Sequence, residues 1–393
     1  MKNVTGSGQA TSADGATATA EAMRAALGQL GGAQPSFGFV FASPSFPLAD
    51  CLRAARAAAN GAEIAGCTTA GEFTERGLIH GGVAVFLVAT EAQHYATMAS
   101  GLAQTPDRVA GELCHDFGAH FQAARSKGLF CSTTVALVDG LSGAGERFVE
   151  SIVDNTMALH QVVGGAAGDE GKFKATQVGR AGEAASDAAT TLHVFSNAPW
   201  GIGIGHGLGS TTARMRVTRA AGNVVYEIDG RPAFDVYLDH ARERGVKLDP
   251  AAAGEYLINN ELGILAGGTV SRARAPLSVG KDGSLTCAAE VPMGAFVCIL
   301  DSKPDAMVEA ASAAAQEAVA NLQGRKPAGV LLFDCICRGF ILKDQFQREI
   351  DAVRTAAGGV PVAGFLTYGE IASYSGRVES WHNATAVALA IPE

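Results

Sequence analysis

Ile64-Ala65-Gly66-Cys67-Thr68-Thr69-Ala70-Gly71-Glu72 and Val362-Ala363-Gly364-Phe365-Leu366-Thr367-Tyr368-Gly369-Glu370 align without a gap, although they stand near opposite ends of the chain. Each closes the same series of elements. Before the first copy come an apolar run, Phe37 to Phe41, a helical stretch, Leu48 to Ala59, and a second short strand from Glu63. Before the second come Gly329 to Phe333, a helix over Lys343 to Ala356 and a strand from Val360. A shorter third copy lies between them: strand Val135 to Val138, helix Gly145 to Ala158, then Val162-Val163 running into Gly164-Gly165-Ala166-Ala167-Gly168-Asp169. Each copy is followed by another apolar strand, at Val83 to Ala89, Thr191 to Phe195 and Thr385 to Ile391. Self-similarity of this kind marks repeated supersecondary units. Here the unit is β-α-β, and its second strand ends in a glycine-rich turn with an acidic tip.

The fold class that follows is α+β, with layered β-sheets flanked by helices and internal βαβ pseudo-repeats. Outside the repeats, residues 1–17 are mostly Gly, Ser, Thr and Ala and read as a loose tail. Ala22, Met23, Ala26, Leu27 and Leu30 then recur at helical spacing. Trp200 to Gly209 alternates strictly, so one strand face carries only glycine and the other Ile202, Ile204, His206 and Leu208. The glycine face leaves room for something bulky. A hairpin over 211–229 follows, then a helix from Pro232 to Arg244.

Composition sets outer limits. Of 393 residues, 48% are hydrophobic and 18% charged, enough for a large core in two or three domains. The net charge of −9, with no Lys/Arg run, gives no footprint for nucleic acid or an anionic membrane surface. The N-terminus has no apolar signal segment, and no apolar run approaches the roughly 20 residues of a membrane helix. Eight scattered cysteines without C-x-x-C pairing read as buried free thiols of a reducing, cytoplasmic compartment. Cys335-Ile336-Cys337 reads as a structural strand end.

Several motifs fail on inspection. Gly201 to Gly209 holds no G-x-G-x-x-G and leads into a hairpin rather than a helix. Gly171-Lys172 lacks the upstream glycine of a phosphate loop. Gly140-Leu141-Ser142-Gly143-Ala144 nearly fits a nucleophile elbow but ends in Ala, and no His and acid complete a triad. A turn that caps the next helix is the simpler reading.

Asp139-Gly140-Leu141-Ser142-Gly143, Val163 to Asp169, and Val217 to Ala233 resemble the N-terminal FIST domain. Leu332-Phe333-Asp334-Cys335-Ile336-Cys337-Arg338, Val362 to Ile371, and His382-Asn383-Ala384-Thr385 are similar to its C-terminal partner. The chain departs from the usual pattern by carrying Cys337 where the family has Gly before the Arg. The resemblance implies an N-terminal tail and helix over 1–34, FIST-N over 35–230 and FIST-C over 231–393. The pocket would lie where the glycine-rich strand ends of the two parts meet. It implies a small-ligand sensor rather than an enzyme. Among similar proteins, the NosP-type nitric-oxide sensors hold haem b and regulate a histidine kinase or a cyclic-di-GMP enzyme.

Three ligand readings stay open. Haem needs an imidazole on an apolar wall. His206 is the positional choice for iron, with His193 and His382 as alternatives. A metabolite such as an amino acid would pair its carboxylate with Arg338. Glu370 or Asp169 would then take the ammonium, with Thr367 and Tyr368 adding hydrogen bonds. A hydrolase would use Ser142 or Cys335, for neither of which a paired base is visible.

Overall fold

Phe37, Phe39 and Phe41 point to one side of their strand and Val40 and Ala42 to the other, and both sides are buried. Strands apolar on both faces belong inside a layered structure, and that is where the computed structural model places them. It describes residues 2–156, 161–374 and 381–393.

The chain runs three times through one plan. The first pass is β1 (Val4–Thr11), α1 (Gly15–Gln29), β2 (Phe37–Ala42), α2 (Leu48–Ala58), β3 (Glu63–Thr68), β4 (Glu72–Thr74), β5 (Gly77–Ile79) and β6 (Gly82–Ala89). The second is β7 (Gln93–Ser100), α3 (Pro106–Leu113), α4 (Phe117–Ser126), β8 (Cys131–Val138), α5 (Gly145–Asn155), β9 (Gln161–Ala166), β10 (Val178–Arg180), β11 (Glu183–Ala185) and β12 (Ala188–Ser196). The third opens with β13 (Gly201–Gly205) and is interrupted by a lobe. The lobe comprises β14 (Leu208–Ser210), β15 (Met215–Ala221), β16 (Val224–Ile228), β17 (Arg231–Pro232), α6 (Ala233–Glu243), α7 (Gly254–Asn259), β18 (Leu262–Ala266), β19 (Thr269–Arg274), β20 (Pro276–Val279), β21 (Leu285–Cys287) and β22 (Phe296–Ser302). The third pass resumes with α8 (Pro304–Ala320), β23 (Pro327–Cys335), α9 (Ile336–Leu342), α10 (Phe346–Ala356), β24 (Val362–Thr367), β25 (Glu370–Ser373), β26 (Trp381–His382) and β27 (Ala386–Pro392). Ala158, the expected end of the helix from Gly145, lies outside the described residues.

Among the described residues the strands form three six-stranded sheets, plus a nine-stranded sheet in the lobe. Each six-stranded sheet holds one parallel pair: β2–β3, β8–β9 or β23–β24. Each is finished by a hairpin from another repeat. β4–β5 of the first repeat extends the third sheet, β10–β11 of the second extends the first, and β25–β26 of the third extends the second. The exchange closes on itself, so the repeats form a ring and each open strand edge beside a glycine-rich turn is covered. The three sheets share one core, with Phe39 and Phe86, Leu137 and Val194, and Phe333 and Phe365 meeting in it.

Residues 4–11 are not a tail. They form β1, paired in register with β6 from Val4↔Ala89 to Thr11↔Gly82. The small residues that make this stretch look loose are what the packing needs. A Cβ on Gly6 or Gly8 would lie 2.1 Å from the carbonyl oxygen of Ala26 or Ala22, so α1 rests directly on the strand backbone. The glycine face of β13 is filled in the same way. Cβ atoms on Gly201, Gly203 and Gly205 would stand 1.8, 2.0 and 2.3 Å from the carbonyls of Ala318, Ala314 and Ala310. Two strand residues advance about 6.7 Å and four helix residues about 6 Å, so the two series stay in step. The expected space for a bulky group on this face is occupied by α8.

A cleft between the ring and the lobe as candidate site

The three glycine-rich turns meet, as their placement at parallel strand ends requires. They hydrogen-bond to one another instead of enclosing a hollow. Ala70 donates to the Leu366 carbonyl at 3.0 Å and Leu366 to that of Gly71 at 2.7 Å. Ala166 donates to Gly369 and Tyr368 to Ala166, at 2.8 and 3.1 Å, and Gly168 donates to Thr68 at 3.0 Å. The acidic tips turn inward. Glu72 and Glu370 are buried in matching pockets, each accepting from the threonine three residues earlier: Thr69 at 2.6 Å and Thr367 at 2.5 Å. Glu72 also accepts from Gly82 N–H, and Glu370 from the Thr385 N–H and hydroxyl. Burial pushes Glu72 up to about 8 and Glu370 up to about 7.

The cavity lies to one side, between the ring and the lobe, with a volume of about 240 Å³. The ring contributes Gly140 and Leu141, Phe173, Tyr368 and Asn383, and the end of β23 with α9 contributes Cys335, Ile336, Cys337 and Phe340. The lobe closes it with Gly254 and Ile258 of α7, Ala275 to Leu277 at the start of β20, and Ala288. Leu141, Phe173, Leu277 and Phe340 are large apolar side chains left exposed, and all four stand on this one cavity. Inside, Asn383 is 1% exposed and its Oδ1 has no hydrogen-bond partner among the described residues. Behind the cysteines sits Glu261, fully buried beside Cys337, its titration pushed well up by burial. The Cys335 thiol is also pushed well up, by its contact with Cys337 and by burial, which favours its protonated form.

Of the residues expected to bind a metabolite, Tyr368 is on the cavity wall and Asp169 directly supports it. The Tyr368 hydroxyl donates to Asp169, accepts from Gly171 N–H at 2.9 Å, and its ring stacks on Phe173 at 4.6 Å. Asp169 is not free for an ammonium group, because it also accepts from the N–H groups of Phe173, Lys174 and Ala175. Burial works against its ionised form, yet these donors hold it below its ordinary value. Thr367 and Glu370 lie behind the wall, bonded to each other.

Arg338 is a correction. It is not a strand-end charge waiting for a carboxylate but a fully buried residue of α9 with all its donors engaged. Nε and Nη2 hold Glu349 at 2.9 and 2.8 Å, and Nε stands 3.0 Å from Asp334. Nη1 donates to the His206 carbonyl and Nη2 to that of Met307, both at 2.8 Å. Ser142 is equally committed: its hydroxyl donates to the Asp139 carbonyl at 2.9 Å and accepts from Ala144 N–H, closing the turn that leads into α5, whose first turn no side chain caps.

The three histidines do not converge. His193 is buried in β12 between Thr134 at 2.7 Å on Nδ1 and Thr191 and Leu113 on Nε2, so both ring nitrogens are taken. Burial lowers it to about 4. His206 sits at the break between β13 and β14, and its Nδ1 accepts from Leu208 N–H at 2.9 Å. His382 is buried opposite Glu370 in β26. No His, Lys or Arg among the described residues lines the cavity, and none of their His, Cys, Asp and Glu side chains group to hold a metal ion. A haem, which needs an axial imidazole and cations for its propionates, does not fit these walls.

The lobe residues on the wall, with Phe173 and Phe340, carry no motif of their own. The sequence signal nearest to them is position: Phe340 follows Arg338 by two residues, and Asn383 sits in the His382 to Thr385 stretch. Among the described residues no helix is long and apolar enough to cross a membrane.

Comparison with known proteins bears on the whole chain. An uncharacterized protein of Methanocaldococcus jannaschii, MJ1623, is 39% identical over 83 residues, which is 21% of this chain and only 16% of that relative. Phosphoribosylformylglycinamidine synthase II of Thermotoga maritima and the T. maritima PurL–ADP complex are each 10% identical at a TM-score of 0.23, over 99% of this chain and 72% and 71% of theirs. Scores that low carry no structural argument. The model of the FIST N domain matches residues 36–231 and that of the FIST C domain residues 233–373. The chain therefore belongs to the FIST family, whose domains are small-ligand-sensing domains of signalling proteins.

Proposed function

We propose that the protein senses a small, largely apolar ligand that enters the cleft between ring and lobe, and that occupancy alters how the lobe sits on the ring. The observation that carries this reading is the gathering of Leu141, Phe173, Leu277 and Phe340 around one cavity. Exposed apolar clusters of this kind mark interaction sites, and a concave one with few polar groups marks a ligand site. The family gives the same class of function.

Arg338 supplies the link from site to surface. The chain enters the lobe just after His206 and leaves it just before α8, which holds Met307. Arg338 grips the carbonyls of both residues from α9, the helix that presents Ile336, Cys337 and Phe340 to the cavity. A ligand that shifts α9 therefore acts on both crossings at once. It moves the equilibrium only through its different affinity for the two lobe positions. A histidine kinase or a cyclic-di-GMP enzyme in the cytoplasm is the receiver the family resemblance proposes. The test is titration of the protein with an apolar fluorescent probe, alongside Ala288→Phe, which fills the cleft from the lobe side. One saturable site lost in the variant is expected; equal binding by both proteins refutes the placement.

A further inference from the structure

The cleft has a second chamber. A further hollow of about 390 Å³ adjoins the apolar one and shares Gly140, Ala288 and Tyr368 with it. Its walls carry Asp139, Glu146, Glu150 and Glu290 against a single cation, Arg147. Arg147 is already paired, with Asp107 at 2.8 Å and with Glu150 at 3.5 Å. Glu146 uses one carboxylate oxygen for both Arg272 and Arg274, at 2.8 and 3.0 Å, and its other oxygen is buried without a partner among the described residues. In the inner chamber the orphaned group is again an acceptor, Asn383 Oδ1. Trp381 is the exception. It is 6% exposed, its ring is held between Gly145 and Gly369, and its Nε1–H has no partner among the described residues. One neutral donor can meet a single oxygen but cannot balance a carboxylate.

Resting on the reading of this cleft as the ligand site, we infer that its ligand is a small organic cation: an amine with an apolar body and no acidic group. The body fills the inner chamber, where a hydroxyl or N–H donor on it satisfies Asn383. The ammonium lies in the outer chamber among the carboxylates of Glu146, Glu150 and Glu290. A ligand carboxylate would meet those groups without a free cation to pair with, and like charges brought together in a cleft are strongly disfavoured. The same argument separates this ligand from a free amino acid, whose ammonium and apolar side chain would fit but whose carboxylate would not.

Calorimetric titration of the full chain with four matched probes tests the inference: tyramine, 4-ethylphenol, tyrosine and 3-(4-hydroxyphenyl)propionate. Tyramine is expected to bind at least about tenfold more tightly than 4-ethylphenol, and the two carboxylates more weakly than either. Glu290 is exposed on the chamber rim, so Glu290→Gln should leave the fold intact, weaken tyramine several-fold and leave 4-ethylphenol unchanged. If 4-ethylphenol binds as well as tyramine, or either carboxylate binds best, the cation is refuted while the cleft stands. If no probe binds, and the apolar fluorescent probe does not distinguish the protein from Ala288→Phe, the cleft reading falls with it.

Discussion

Replacing Glu72 by Gln should remove most of one pH dependence of stability. In the folded chain the Glu72 carboxyl is buried and titrates at about 8, whereas an unperturbed glutamate titrates at 4.5. Between those values the folded state holds a proton that the unfolded state has released. Stability from this group is therefore complete below pH 4.5 and is lost as pH rises toward 8. At about 1.4 kcal/mol per pH unit, the loss from pH 5 to pH 8 is about 4 kcal/mol. Gln cannot ionise, yet it keeps an oxygen for Gly82 N–H and offers its amide to Thr69, so the packing is retained. The assay is urea unfolding of both proteins at pH 5, 6.5 and 8. The wild type should lose about 4 kcal/mol more than the variant across that range. Glu370, raised to about 7 in the matching pocket, contributes equally to both proteins and drops out of the difference. Parallel pH profiles would show that Glu72 is ionised when folded and that the tips are not buried as described.

Three further outcomes follow from the packing and the site. Gly203→Ala should cost about 3 kcal/mol or more, because its Cβ meets the Ala314 carbonyl at 2.0 Å and α8 must lift away; differential scanning calorimetry reads this as a lowered Tm. Arg338→Met should destabilise by about 3 to 5 kcal/mol, since it leaves Asp334 and Glu349 buried together without their cation. Proteolysis of Arg338→Met should then cut first near the two lobe connections. Protein purified after haem supplementation should show no stoichiometric Soret band; a band that disappears in His206→Ala would overturn the lining argument.

The three β-α-β units were legible because their periodicity and their glycine-rich endings are local. The ring they build was not. The hairpins that close it use strands of three residues at β4, β5, β10 and β11, too short to show a period. Val4 to Thr11 was misread for a related reason: Gly and Ser look like linker until the helix that lies on them is known. Trp200 to Gly209 reads as one strand but divides at His206 and Gly207, the point where the lobe is inserted. At the candidate site, Tyr368 is visible in the sequence only as part of its glycine-rich turn. Arg338 was recognised as important but given the wrong task, because a buried guanidinium and a ligand-binding one look the same in sequence. Only the positions of Asp334, Glu349, His206 and Met307 decide between them. The remaining walls come from the lobe, whose contact with the ring depends wholly on tertiary packing.

The most direct check on the cleft is a crystal of the protein soaked with 4-bromophenol, with the bromine located by its anomalous scattering. A single strong peak between Tyr368, Phe340 and Leu277 is the expected result. A peak confined to another surface, with the space beside Asn383 left to water, would contradict the account.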